Sequence, residues 1–99
     1  MSKRLVWWNG KLIPESEAKV SIYDSAMLFG DTVFEMSRSF NNVQFKLDEH
    51  IHRLFKSAAL LDLKIPYSID EIIGKTVELG DKEKITNGYI RHVVWRGSE

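Results

Sequence analysis

In residues 31–40 an arginine falls on the apolar-looking side of an alternating run. Phe34, Met36, Arg38 and Phe40 share one face of a strand, and Val33, Glu35, Ser37 and Ser39 share the other. A guanidinium is seldom buried without a partner. Either this face is turned to solvent, the usual case for a lone arginine, or Arg38 serves an anion, because its planar fork can grip a carboxylate or phosphate through two bonds. Residues 89–95 repeat the combination, with Tyr89 and Arg91 on one face alongside Val93 and Trp95, and Ile90, His92 and Val94 on the other. Two such strands side by side would build an apolar pocket with fixed anion-binding groups. Arg53 is a third candidate. A solvent-exposed helix arginine is the default, yet a position near a helix start with His50 and His52 close by also suits a phosphate contact.

The histidines are a weaker signal. His50 and His52 lie two apart on a helix and point to different sides, and His92 has no sequence-local partner. All three read as structural or polar pocket residues, and no metal site is expected. The chain has no zinc spacing, phosphate loop, GxSxG or GxGxxG, and nothing locates a Ser-His-Asp set.

Several elements must position these residues. Residues 4–8 and 11–13 flank Asn9-Gly10, a strong signal for a hairpin through a type I′ turn, and Pro14 ends the second strand. Residues 15–29 hold no clear period and predict a loop with a short strand near 20–23. Asn41-Asn42 turns the 31–40 strand into a return strand in which Val43, Phe45 and Leu47 alternate. Asp48 is the expected N-cap of a helix whose stripe is Ile51, Leu54, Phe55, Ala58 and Leu61, ended by Lys64-Ile65-Pro66. Ser68 and Glu71 form a capping box for a second helix with Ile69, Ile72, Ile73 and Thr76 inward and Gly80 as its C-terminal cap. After a charged connection at 81–84 and a turn at Asn87-Gly88, residues 89–95 form the last strand. The fold class expected is α+β, an antiparallel sheet packed by two helices.

Composition narrows the classes. At 99 residues the chain is one domain at most, residues 1–99, with a globular balance of hydrophobic and charged residues. Fourteen basic residues against fourteen acidic ones leave no net charge and no electrostatic footprint for nucleic acid. No apolar stretch is long enough to span a membrane, and the start MSKRLVWWNGK is too polar for a secretory signal. Cysteine is absent, which excludes disulfides and thiolate chemistry and is compatible with the cytoplasm. Eleven aromatics in so short a chain imply surface that faces something beyond its own core, a further domain or a subunit interface.

The ordered set Gly30-Asp31-Thr32-Val33-Phe34-Glu35, residues 45–54 (FKLDEHIHRL), Ser57-Ala58, Ile65-Pro66-Tyr67 and Tyr89-Ile90-Arg91 resembles the N-terminal domain of a class IV (fold-type IV) pyridoxal-phosphate aminotransferase. That family includes branched-chain amino acid aminotransferases, D-amino acid aminotransferases and aminodeoxychorismate lyases, and the likeness runs over essentially the whole chain. It implies that Arg53, the arginine of the HxxRL motif, grips the phosphate of pyridoxal 5'-phosphate. It also implies that Phe34, Arg38, Tyr89 and Arg91 line the substrate side of the pocket, with Phe29 at its edge. Branched-chain enzymes commonly have tyrosine where this chain has Phe29 and glycine where it has Met36. Arg91 beside Tyr89 favours the branched-chain group.

The same resemblance places the Schiff-base lysine and the carboxylate that pairs with the pyridine nitrogen in a second, C-terminal domain. None of the nine lysines, from Lys3 to Lys84, sits in the family's lysine motif. The chain is therefore expected to be an N-terminal fragment that contributes no catalytic lysine and has no transaminase activity alone. Its parent is expected to be a cytoplasmic, homodimeric transferase passing an amino group between an amino acid and a 2-oxo acid. D-amino acid or lyase chemistry is the alternative within the family. A non-catalytic, self-associating module is the alternative outside it, with Arg38 and Arg91 as salt-bridge residues.

Overall fold

The computed structural model describes residues 4–97. Lys3 and the first part of the start segment read above lie outside the described residues. The element order is β1 (Leu5–Trp8), β2 (Lys11–Pro14), a 3-10 turn (Glu15–Glu17), α1 (Ser25–Leu28), β3 (Thr32–Phe40), β4 (Val43–Phe45), α2 (Leu47–Leu60), α3 (Ile69–Lys82) and β5 (Gly88–Trp95). The class is α+β as expected, but the strands form two antiparallel sheets instead of one: a β1-β2 ribbon and a three-stranded sheet in the order β4-β3-β5.

Local chemistry explains the turns. Asn9 and Gly10 have φ of 47° and 92°, and Asn41 and Asn42 have φ of 50° and 64°, the positive values that a two-residue hairpin turn of this hand requires. Gly10 is needed twice over, since a Cβ there would also meet the Tyr67 hydroxyl at 2.7 Å. The ribbon docks through its tryptophans, Trp7 edge-on to Tyr67 at 4.9 Å and Trp8 against Trp95 at 5.6 Å.

The helices lie on one face of the larger sheet, α2 against β3 and α3 against α2 and β1. Leu47, Ile51 and Ile72 form the buried centre, with Trp7, Phe55, Tyr67, Ile69 and Ile73 packed around them. The capping box of α3 is present, with Ser68 Oγ accepting from the Glu71 amide at 3.0 Å and Glu71 Oε1 accepting from the Ser68 amide at 2.9 Å.

Several expectations are corrected. No strand forms at 20–23: Val20, Ile22 and Tyr23 are exposed with no strand beside them among the described residues, and the chain instead enters α1, capped by Asp24. Leu47 does not continue β4 but opens α2 as a buried residue, so Asp48 lies in the first turn and the cap position falls to Lys46, left-handed at φ 52°. The helix ends at Leu60, before Lys64-Ile65-Pro66, and Leu61 is exposed. Gly80 does not cap α3, which runs on to Lys82 and draws Asp81 and Lys82 out of the expected surface connection. Gly80 is buried where a Cβ would come within 3.4 Å of Gln44 and 3.8 Å of Ile90, so its smallness serves packing, not termination. Gly88 begins β5 instead of belonging to the preceding turn.

Candidate active site

β3 separates two environments. Glu35, Ser37 and Ser39 are buried, while Phe34, Arg38 and Phe40 on the alternate positions are exposed. The strand parity is legible in the sequence, yet it is the polar set that lies beneath the helices. Residues 50 and 53, three apart on α2, present side chains to the same neighbour, and that neighbour is Glu35.

Glu35 accepts from Arg53 Nε–H at its Oε2 and from Arg53 Nη2–H at its Oε1, both at 2.8 Å. His50 Nδ1 stands 2.9 Å from the same Oε1. The Arg53 hydrogen bonds, opposed by burial and assisted by His50, hold the Glu35 carboxyl down at about 2. The pair in turn raises the Arg53 guanidinium, chiefly through its hydrogen bonds to Glu35. An ionised carboxylate only accepts, so His50 carries its proton on Nδ1 and donates it. The 3.4 Å between Arg53 Nη2 and His50 Nδ1 is then the spacing of two donors aimed at one oxygen. His52 turns elsewhere, its Nδ1 2.8 Å from the Asp48 carbonyl oxygen.

Only one edge of the Arg53 fork is engaged. Nη1 and the second Nη2 hydrogen have no partner among the described residues, and the side chain is 65% exposed. Beside it opens a cleft of about 210 Å³ lined by Lys46, Glu49, His50 and Arg53. No side chain caps α2 at Lys46, and the first turn of the helix, which carries Asp48 and Glu49, borders this cleft through Lys46 and Glu49. Lys46, the unused edge of Arg53 and a helix start form a donor set that fits a phosphate group, with the Glu49 carboxylate the one opposing charge in the lining. A larger cleft of about 270 Å³, lined by Asn42, Val43, Gln44, Leu47 and Val77, holds no titratable group and none of the expected site residues.

The open face of the sheet brings four of the expected residues together. β3 and β5 pair with Phe34 opposite Val93, Met36 opposite Arg91 and Arg38 opposite Tyr89. Arg38 lies 4.8 Å from the Phe40 ring centre and 5.3 Å from that of Tyr89, a guanidinium held by aromatic rings instead of by an acid. Among the described residues neither Arg38 nor Arg91 has an ion-pair partner. β4 covers β3 only at Arg38–Phe40, so on that side the stretch containing Phe34, Glu35 and Met36 has no partner strand among the described residues. Phe34 on the open face and Glu35 on the covered face are successive residues of this unpaired stretch. Phe29 ends α1, exposed, and no ring contact or side-chain hydrogen bond joins it to the other five among the described residues.

Two supporting residues, Glu35 and Asp24, gain no role from the sequence, and a third, His92, reads there only as a structural or polar pocket residue. Alternation puts Glu35 on its face but gives it no role, because its partners lie 15 and 18 residues away. Asp24 accepts from the Ala26 amide and from Trp95 Nε1, both at 2.9 Å, which ties α1 to the end of β5 and sets where Phe29 leaves the fold. The Asp-Ser pair opening an apolar segment is a readable cap signal. His92 lies behind Glu35, on the covered face. Thr76 donates its hydroxyl to the Ile72 carbonyl at 2.8 Å, so it must accept from His92 Nε2–H at 2.9 Å. Burial pushes the His92 imidazole down to about 4, which leaves it neutral.

Comparison with known proteins identifies the family. The family model for class IV amino-transferases matches residues 32–99. A probable branched-chain-amino-acid aminotransferase of Rickettsia bellii is 45% identical over 94 residues, covering 95% of this chain and 32% of that protein. A D-alanine aminotransferase of Bacillus licheniformis is 40% identical over 92 residues, covering 93% of this chain and 32% of that protein. The crystal structure of the T.th. branched-chain amino acid aminotransferase with pyridoxamine 5'-phosphate superposes with a TM-score of 0.93 at 31% identity, over 100% of this chain and 34% of that one. The chain belongs to the class IV aminotransferases. It spans about a third of the length of the relatives it matches.

Proposed function

We propose that this chain is the small N-terminal domain of a pyridoxal-phosphate-dependent aminotransferase acting on a branched-chain-like amino acid and a 2-oxo acid. The observation that carries the reading is Arg53, fixed on one side by Glu35 and open on the other to the Lys46–His50 cleft. Arg53 would hold the cofactor phosphate through its unused edge, with Lys46 adding charge nearby. Bound there, pyridoxal 5'-phosphate supplies an electron sink for the amino acid's α-carbon.

Phe34 and Tyr89 would exclude water from the substrate's side chain, and Arg38 and Arg91 would orient a carboxylate by their fixed positions on the sheet. Phe29 would close the edge. The rest of the site, including the lysine expected to form the Schiff base, would come from the part of the fold that the relatives have and these 99 residues do not span. That part, or a second subunit, would cover the open face. The similarity to the D-alanine aminotransferase supports a second reading, D-amino acid chemistry on the same cofactor.

The test is a pair of titrations on the complete protein that carries this chain. Arg53→Ala is expected to weaken binding of pyridoxal 5'-phosphate by more than about tenfold, since it removes a charged hydrogen-bonding partner of the phosphate. Binding of pyridoxal, which has no phosphate, should stay within about twofold. Equal loss for both ligands would remove Arg53 from the phosphate site.

A further inference from the structure

We propose that Glu35 is a positioning residue for the anion site: it divides the Arg53 guanidinium into a held edge and an offered edge, and so aims the offered edge at the phosphate. The inference rests on the reading above for the identity of the anion. The geometry rests on the fold alone.

Glu35 is buried on the covered face of β3, and its carboxylate accepts from Arg53 Nε–H, Arg53 Nη2–H and His50 Nδ1–H at 2.8, 2.8 and 2.9 Å. Arg53 itself is mostly in solvent, and an arginine side chain there samples many rotamers unless something fixes it. The fork–fork bond to a strand residue fixes it in both direction and plane. The remaining edge, Nη1 with the second Nη2 hydrogen, is the pair that can grip a phosphate through two parallel bonds.

A carboxylate beside the arginine also opposes the binding of a second anion. The arrangement gives up some attraction and gains orientation, and the two contributions predict opposite results when the charge is removed. If attraction dominates, Glu35→Gln tightens phosphate binding. If orientation dominates, it loosens it. The burial of Glu35 and its engagement by three donors favour orientation, because most of the carboxylate's bonding capacity goes to its own partners. His50 shares in this. Its Nδ1–H is committed to Glu35, which fixes the ring and its tautomer at the wall of the cleft.

The experiment compares wild type, Glu35→Gln and Arg53→Ala in the complete protein by equilibrium titration with pyridoxal 5'-phosphate and with pyridoxal. The expected result for Glu35→Gln is a loss of about tenfold or more for the phosphorylated ligand, the scale seen when a residue that orients a metal's ligand is removed. Pyridoxal affinity should stay unchanged. Tighter or unchanged binding of the phosphorylated ligand overturns the proposal, and so does an equal loss for both ligands, which is what a merely structural role would give. If Arg53→Ala shows the selective loss and Glu35→Gln does not, only this proposal fails. If Arg53→Ala shows none, the reading of the phosphate site fails and takes the proposal with it. Should Glu35→Gln not fold, Glu35→Asp keeps the charge but shortens the reach by one methylene. The same selective loss is then expected, and an unchanged ratio of the two affinities overturns the proposal.

Discussion

On the helix-covered face of the β4-β3-β5 sheet stand Glu35, Ser37, Ser39 and His92, and on the open face stand Phe34, Phe40, Phe45, Tyr89 and Val93. A half-buried sheet ordinarily turns its apolar side to the helices and its polar side to water. Here the covered side is largely polar and relies on hydrogen bonds: Glu35 to Arg53 and His50, Ser37 to Gln44, His92 to Thr76. The open side is apolar and aromatic, and it holds two arginines without ion-pair partners among the described residues. The covered face gets most of its hydrophobic packing from α2 and α3, with Ile90 of β5 the buried apolar residue that the sheet itself adds. The open face is left with surface that suits a ligand or another part of a larger protein.

The largest expected difference between the two sides lies in packing. Ile51→Ala, in the core beneath the covered face, should cost about 2–5 kcal/mol in denaturant unfolding. Phe34→Ala, 62% exposed on the open face, should cost less than about 1 kcal/mol. Equal costs would mean that the open face is part of the folding core and would break the comparison.

Acid should act on the covered face through His92 and Glu35. His92 is held down at about 4 from 6.5, so the unfolded chain takes up its proton first. Stability is complete above pH 6.5 and falls as pH drops toward 4, by roughly 2–3 kcal/mol. His92→Leu should flatten that limb of the stability–pH curve. Glu35, depressed to about 2 from 4.5, contributes stability that is present above pH 4.5 and lost as pH falls toward 2. Because its partner Arg53 is largely solvated, this second limb is on the order of 2 kcal/mol and Glu35→Gln should remove it. A chain equally stable at about pH 7 and about pH 4 would contradict the burial of His92.

Smaller effects sharpen the picture at the margins. Gly10→Ala combines positive φ with a clash against Tyr67 and should cost on the order of 1–2 kcal/mol, read as a shifted thermal midpoint. Arg38→Met should change stability by less than about 0.5 kcal/mol. Its effect is expected in weaker binding of a carboxylate substrate by the complete protein. A large loss of stability in Arg38→Met would make this arginine a structural residue.

What can be read from sequence follows the range of the forces involved. Asn9-Gly10, Asn41-Asn42 and the Ser68–Glu71 box act within a few residues and appear where expected. The alternation of β3 and β5 predicts which residues share a face, and the strands do pair so that Phe34, Arg38, Tyr89 and Arg91 come together. Which face is buried does not follow from alternation, because that depends on where α2 lies. Val20, Ile22 and Tyr23 have strand-like side chains but no strand to bond with, so local preference alone misleads. Gly80 and Asp48 have the residue types of caps but sit inside helices, where packing against Gln44 and Ile90 and the left-handed Lys46 decide the outcome. Glu35 shows the limit most plainly. Its partners are distant in sequence, and only the fold places a carboxylate under Arg53.

The most direct measurement is a crystal structure of the complete protein with pyridoxal 5'-phosphate bound. The account predicts the phosphate on the Nη1 edge of Arg53, Glu35 still on the Nε edge, and Phe34, Arg38, Tyr89 and Arg91 walling the substrate side of the cofactor. A phosphate bound away from Arg53, or an open face packed against another part of the protein with no ligand beside it, would contradict it.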